Sequence, residues 1–349
     1  MNLSLDARTF HDLLAEPTAV ETFSAAAGCP LVIIEVSDGS AARWLTDLDI
    51  TELPAVVVAV VPDPVWLPPR AARAVDVVLT EDADAATTFT APRKGLGAAT
   101  AAIGEALAAC PVAGTALALL LRSSAGMPVS AALIAESATY SALQDGAEFK
   151  RWRSAHPPRP PEAGIDRVLI ERSFGELAIT LARPGRRNAV DWRMRDALIS
   201  ALAIAVPEPE LHVSLRGSGP DFCAGGDLDE FGSRPDPAQA HLIRLTRSPA
   251  RLLHRLANRT TAYLHGHCLG AGIELPAFAA RVVAAEDTRV ALPEIRLGLI
   301  PGAGGTVSLS RRIGRWRTAY LALTGETLDA GQALAWGLVD EIGPQAAMQ

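Results

Sequence analysis

The sequence predicts an α/β protein in two parts, and three observations lead there. Short β-branched runs alternate with stretches of helical character. Four prolines in five positions, Pro157, Pro158, Pro160 and Pro161, interrupt the chain near its middle. Beyond them, two apolar strands each run into a loop of small residues.

Composition sets outer limits. The chain has 349 residues, enough for two domains of ordinary size. With 49% hydrophobic and 20% charged residues it can build a core, which excludes global disorder. The formal net charge of −7 argues against general attraction to nucleic acid or an anionic membrane. Cys29, Cys110, Cys223 and Cys268 are far apart and show no zinc-binding spacing or disulfide framework. The first twenty residues lack the basic-then-apolar order of a signal peptide. The most apolar long stretch, Leu96 to Leu121, is broken by Glu105 and Pro111, so it reads as two packed helices rather than a membrane span. These features lead us to expect a soluble, cytoplasmic protein.

The proline-rich stretch sets the expected boundaries: residues 1–153, a linker over 154–165, and residues 166–349. The first part opens with an expected helix from Ala7 to Ala26. Strands follow at 31–36, 55–61 and 75–80, apolar enough to be buried on both faces. From Gly97 to Arg153 the pattern is helical, ending in an amphipathic helix from Val129 to Trp152. The second part begins with paired strands at 167–171 and 176–181, then a helix from Asp191 to Ala205. A strand at 212–216 enters the first glycine turn, and a helix is expected from Ala238 to Leu256. A strand at 260–264 leads to the second turn, which opens a helix near Gly270.

The two turns share one grammar of strand, small-residue loop and helix. A helix start leaves backbone N–H groups unpaired, and two such groups aimed at one point can hold an oxyanion. Spacing alone is equally compatible with two tight turns in a packed core.

The ordered set of motifs decides between these. Arg183-Pro184-Gly185-Arg186-Arg187-Asn188-Ala189, Phe222-Cys223-Ala224-Gly225-Gly226-Asp227-Leu228, Gly270-Ala271-Gly272-Ile273-Glu274-Leu275, Leu292-Pro293-Glu294 and Gly298 to Thr306 follow one another. Leu323-Thr324-Gly325-Glu326 and Ala335 to Asp340 complete the series. Together they resemble the crotonase (enoyl-CoA hydratase/isomerase) superfamily over roughly Val168 to Ile342. The resemblance implies a crotonase-like ββα superhelix acting on an acyl-CoA thioester, which is the substrate; no further cofactor or metal is implied. It makes Gly226 and Ala271 the oxyanion-hole donors, with Ala271 standing where the family usually has glycine. Glu274 and Glu294 match the acid–base pair of the hydratases. Ala224, Gly226, Asp227 and Leu228 match the stretch beside coenzyme A, and Arg186 or Arg187 is a candidate for its phosphates. Asp227 is also expected to cap the helix after the first turn.

Hydration needs water delivered to one carbon and a proton to the next, which suits two carboxyls, whereas isomerisation can use one. The pair therefore favours a hydratase-type lyase adding water across the 2,3 double bond. The alternatives are an isomerase, dehydratase or carbon–carbon hydrolase of the same fold, or a non-catalytic acyl-CoA-binding subunit. Cys223 is read as apolar filler rather than a nucleophile. His265 and His267 lack a third metal ligand and read as a strand end, with His267 a candidate for the acyl pocket.

Family members usually continue for several helices beyond the motif matching Gly337-Leu338-Val339 and often form homo-oligomers, so a homo-oligomer is expected. A similar helical tail occurs here upstream, within 98–152. Residues 1–153 are therefore read as a second, decayed crotonase-like unit without catalytic residues, whose tail would supply the lid. An unrelated α/β domain is the alternative.

Overall fold

The computed structural model describes residues 2–160, 162, 166–234 and 236–344. Part of the expected linker, residues 161 and 163–165, lies outside the described residues. The chain forms two compact units. The first comprises residues 1–126, 295–300 and 313–325; the second comprises 127–294, 301–312 and 326–349. This grouping differs from a break at the prolines. The helices Val129–Gln144 and Ala147–Ala155 belong with the second unit. The helix Gly305–Thr324 breaks at Gly314, where φ is 77°, so that its two halves belong to different units.

In the first unit, strands β1 (Asn2–Asp6), β2 (Leu31–Glu35), β3 (Val56–Val60) and β4 (Val77–Leu79) form a wholly parallel sheet in sequence order. β1 was not anticipated. The expected helix from Ala7 to Ala26 is instead split into Ala7–Leu14 and Ala19–Thr22. Asp6 caps the first of these by accepting from Thr9 N–H. Continuous Val and Ile runs suit a sheet covered on both faces, and Val57, Val78, Ile34 and Phe10 lie in one core. The apolar stretch after Gly95 makes two helices, Leu96–Ala109 and Pro111–Ser123, bent by 112°. Among the described residues, no single helix is long and apolar enough to cross a membrane.

Arg122, near the end of the second of these helices, ties the unit together. Its Nε donates to Asp76 Oδ1 at 2.8 Å and its Nη1 donates to the Ile50 and Leu53 carbonyls at 2.6 Å. Asp76 Oδ2 also accepts from Val57 N–H at 2.9 Å, so this ion pair reaches the central strand. Both side chains are buried. Truncating Arg122 leaves a buried carboxylate and several carbonyls without donors. Arg122→Ala is expected to destabilise the first unit by about 3–5 kcal/mol, measured by denaturant unfolding.

Among the described residues of the second unit, β5 (Val168–Ser173), β6 (Glu176–Leu181), β7 (His212–Gly217), β8 (Thr260–Leu264), β9 (His267–Leu269), β10 (Arg281–Ala284), β11 (Arg289–Ala291), β12 (Leu328–Asp329) and β13 (Glu341–Ile342) form two sheets. The larger runs β13-β10-β8-β7-β6-β5, parallel except for the β5–β6 hairpin. The smaller runs β12-β11-β9. Asp191 caps the helix Trp192–Ala205 by accepting from Met194 N–H at 2.8 Å.

Two expectations fail in this unit. The long helix from Ala238 to Leu256 is two helices, Pro237–Thr246 and Pro249–Arg255, because Pro249 lacks the N–H a continuous helix needs. No helix follows the first glycine turn directly; residues 228–232 form turns. Both glycine turns still lie at the carboxyl ends of adjacent parallel strands, β7 and β8, where open α/β sheets place their ligand sites.

Candidate active site

The two glycine turns run side by side. Cys223 N–H donates to the His267 carbonyl at 3.1 Å, and Leu269 N–H returns to the Cys223 carbonyl at 3.0 Å. Asn188 holds the first turn from behind. Its buried amide donates to the Ser218 and Asp221 carbonyls at 2.8 and 2.9 Å and accepts from Arg183 N–H at 2.7 Å. Gly226 and Ala271 thus come to the wall of one cavity of about 1150 Å³. Among the described residues, neither of their N–H groups has a protein acceptor. Ala271 is not among the positive-φ residues, so alanine in place of the family's usual glycine is unstrained there.

Gly270, just before it, carries the constraint. Its φ of 50° and ψ of −122° lie where side chains are strained, and a β-carbon there would sit 2.3 Å from Glu294 Oε1 and 3.7 Å from Glu274 Oε1. Two carboxyl groups therefore close on one backbone position. Glu274 ends the single helical turn Ala271–Glu274, and Glu294 follows β11. Glu274 Oε2 accepts from Ala303 N–H and Gly305 N–H, both at 2.8 Å. Glu294 Oε2 is buried with no hydrogen-bond partner among the described residues.

A third carboxyl, Glu136, comes from the Val129–Gln144 helix. Its Oε1 accepts from Gly304 N–H at 2.7 Å, and its Oε2 accepts from Thr306 N–H at 3.0 Å and the Thr306 hydroxyl at 2.6 Å. Successive amides of the 303–306 turn thus alternate between Glu274 and Glu136. Position 305 has to be glycine because a β-carbon there would meet the Glu274 carboxyl at 2.7–2.8 Å.

All three carboxyls resist ionisation. Burial pushes Glu274 up to about 7, against the pull of its two amide donors. Burial and then the Glu274 charge push Glu136 up to about 8. The same two causes, in that order, hold Glu294 well above a glutamate's ordinary 4.5. Three carboxyls so close cannot all be charged, so protons leave the cluster as a group. The two amides make Glu274 the better site for the negative charge, while Glu294, with one bare oxygen, keeps its proton longer.

The remaining expected site residues divide. Asp227 lines the cavity but caps no helix. Its Oδ2 accepts from Arg183 Nη1 at 2.6 Å, and its Oδ1 accepts from Asp229 N–H at 3.0 Å. Ala224, Leu228 and Arg186 do not line the cavity. Ala224 N–H donates to the Arg187 carbonyl, the Leu228 carbonyl accepts from Arg153 Nη1, and Arg186 pairs with Asp229 at 3.2 Å. His267 is absent from the cavity wall and pairs with Asp221 at 2.7 Å. Cys223 is a buried thiol pushed up to about 12 by burial, inert at neutral pH.

Glu136, Tyr140 and Arg244 line the same cavity and were not anticipated as site residues. The available signal was an acid, a tyrosine and serines on one stripe of an otherwise apolar helix: Glu136, Ser137, Tyr140 and Ser141 recur at three- and four-residue spacings.

The sequence profile of the enoyl-CoA hydratase/isomerase family matches residues 171–349. The chain belongs to that family. It is 35% identical to 2,3-dehydroadipyl-CoA hydratase of Escherichia coli (strain K12), across 52% of this chain and 70% of that protein. It is also 35% identical to mevalonyl-coenzyme A hydratase of Beauveria bassiana (strain ARSEF 2860), across 48% of this chain and 64% of that protein. A crystal structure of enoyl-CoA hydratase from Thermoplasma volcanium GSS1 is 34% identical across 52% of this chain and 74% of that one, with a TM-score of 0.48. The chain spans roughly two thirds of the length of the curated relatives it matches. The matched family region begins after the helix that carries Glu136.

Two outcomes are expected from this geometry. Gly270→Ala forces a left-handed, crowded alanine; it should lower stability by about 1–3 kcal/mol through backbone strain alone and displace Glu294, seen as a lower Tm. Stability should also fall as pH rises from about 4.5 to 8. In that window the folded chain holds protons on Glu136 and Glu274 that the unfolded chain has released. Tm measured against pH should show this decline, and Glu136→Gln should flatten it.

Proposed function

We propose that this protein is an enoyl-CoA hydratase-type lyase, adding water across the 2,3 double bond of an acyl-CoA thioester. The observation that carries the reading is the pairing of two carboxyls of unequal acidity around Gly270, beside two unoccupied backbone donors. In this mechanism the Gly226 and Ala271 N–H groups receive the thioester oxygen as negative charge builds on it; one such donor typically contributes about 2.7–4 kcal/mol to the barrier reduction. Glu274, held ionised by the Ala303 and Gly305 amides, takes a proton from water as its oxygen bonds to the β-carbon. Glu294, still protonated, delivers its proton to the α-carbon of the resulting enolate. Proton count closes: water gives one proton to Glu274, and Glu294 gives one to the product. Names of relatives support the class, since hydratases acting on CoA thioesters recur among them.

The helices from 129 to 155 serve in this reading as the wall of the acyl pocket. Tyr140 meets Phe231 edge-on at 6.5 Å, and Arg153 donates to the Leu228 and Phe231 carbonyls. Residues 1–126 are proposed to be the remnant of a second unit of the same ancestry, contributing no catalytic group.

Loss of the conjugated-thioester absorbance of crotonyl-CoA tests the activity. Wild type should consume it, while Glu274→Gln and Glu294→Gln should each lower kcat by about 10²–10⁴-fold. The pH profile should rise near 7 as Glu274 ionises and fall at higher pH as Glu294 loses its proton. Tight CoA-thioester binding without turnover of any 2-enoyl-CoA would overturn the hydratase reading and leave a binding role.

A further inference from the structure

Arg244 is a half-buried cation at the wall of this cavity, without a carboxylate in ion-pair contact among the described residues. It sits on the Pro237–Thr246 helix, facing the Val129–Gln144 helix. Its Nε donates to Ser137 Oγ at 3.2 Å, its Nη1 to Gln144 Oε1 at 3.3 Å, and its Nη2 to Ser141 Oγ. Its guanidinium lies 4.8 Å from the centre of the Tyr140 ring. Every one of these partners is neutral. Among the described residues it forms no ion pair within 4.0 Å, unlike Arg122, Arg167 and Arg183, which are buried against carboxylates. Glu136 is close enough to act on it through space, but its oxygens are taken by Gly304 and Thr306.

A buried charge is normally paired, because removing it from water costs several kcal/mol. A guanidinium also has five N–H groups. Three are used here, which leaves one on each terminal nitrogen, and a two-donor face suits a carboxylate. Arg244 lines the same cavity as Gly226, Ala271, Glu274 and Glu294. Tyr140 connects the two ends: its ring stacks with Arg244, and a β-carbon on Gly302, beside the turn that holds Glu274, would touch it at 2.3 Å.

We propose that Arg244 receives an anionic group at the far end of the acyl chain, so that the preferred substrates are CoA thioesters of dicarboxylic acids. This rests on the reading of the cavity as an acyl-CoA site. Three other arginines at the cavity, Arg234, Arg247 and Arg251, are exposed and are available to the phosphates of coenzyme A. Arg244 differs from these in being half-buried, with its guanidinium against the Tyr140 ring and two serine hydroxyls.

The test compares matched pairs of 2-enoyl-CoA thioesters, from four to eight carbons, ending in a methyl group or a carboxylate. Wild type should favour the carboxylate member at one or two chain lengths. Arg244→Gln should reduce that kcat/KM ratio by about tenfold to a hundredfold, the range for a lost charged hydrogen-bonding partner, and Arg244→Lys should keep its direction. Equal losses for both members in Arg244→Gln would overturn the proposal and place Arg244 on coenzyme A or in packing, as would a wild-type preference for methyl ends at every length. Calorimetric binding of saturated acyl-CoA thioesters of both kinds, to wild type and to Arg244→Gln, separates this question from turnover. A carboxylate preference that depends on Arg244 supports the proposal even where no hydration occurs, and no preference in binding overturns it. Melting curves establish that each variant is folded.

Discussion

The peptide turn at 303–306 is held by two buried carboxylates, and the arrangement of the site depends on it. Ala303 and Gly305 donate to Glu274, while Gly304 and Thr306 donate to Glu136. An acid buried in protein needs donors, and a glycine turn with bare amides needs acceptors. Each satisfies the other. Glu274 is thereby oriented at the cavity wall with two of its interactions fixed, and its other oxygen remains for chemistry. A carboxylate steadied by backbone donors keeps the same geometry before and after it gains a proton, which suits a residue asked to cycle between the two states.

Electrostatics at this centre follow from crowding. Three acids share a volume in which one or two charges are tolerable, so their acidities separate. Burial is the first cause at each, and between the pair around Gly270 hydrogen bonding separates them: Glu274 has two amide donors, whereas Glu294 has an oxygen with no partner among the described residues. Unequal environments give equal side chains unequal roles, the general route to an acid and a base near neutral pH. On the wall of the same cavity a half-buried arginine, Arg244, sits among serines and an aromatic ring and reverses the local sign. The cavity wall thus carries acids resisting ionisation at one place and a cation at another, the contrast on which the proposed preference for an anionic acyl end rests.

Much of the second unit was legible in the sequence because its signals are local. The strand at Thr260–Leu264 and the helix expected from Asp191 to Ala205, found as Trp192–Ala205, depend on neighbours in the chain. So does the placement of two glycine loops after two strands. The motif series assigned Gly226, Ala271, Glu274 and Glu294 to one place, and they do line one cavity. Local reasoning failed where a distant partner decided the outcome. Asp227 looked like a helix cap, but Arg183 and the turn geometry claim both its oxygens. His267 looked available for a pocket, but Asp221 takes its ring nitrogen.

By itself the sequence determined the family resemblance, the strands that lead into the two glycine turns, and the two glutamates expected to do the chemistry, since each is written in contiguous residues. Tertiary structure alone decided which side chains of the upstream helical tail, and of the helix packed on it, line the cavity. Glu136 and Tyr140 reach the cavity from one helix and Arg244 from another about a hundred residues further along the chain, and their meeting is set by one helix packing on the other. Their importance arises from burial: a charged group becomes consequential when water is removed from it, and the extent of that removal is a property of the packed molecule.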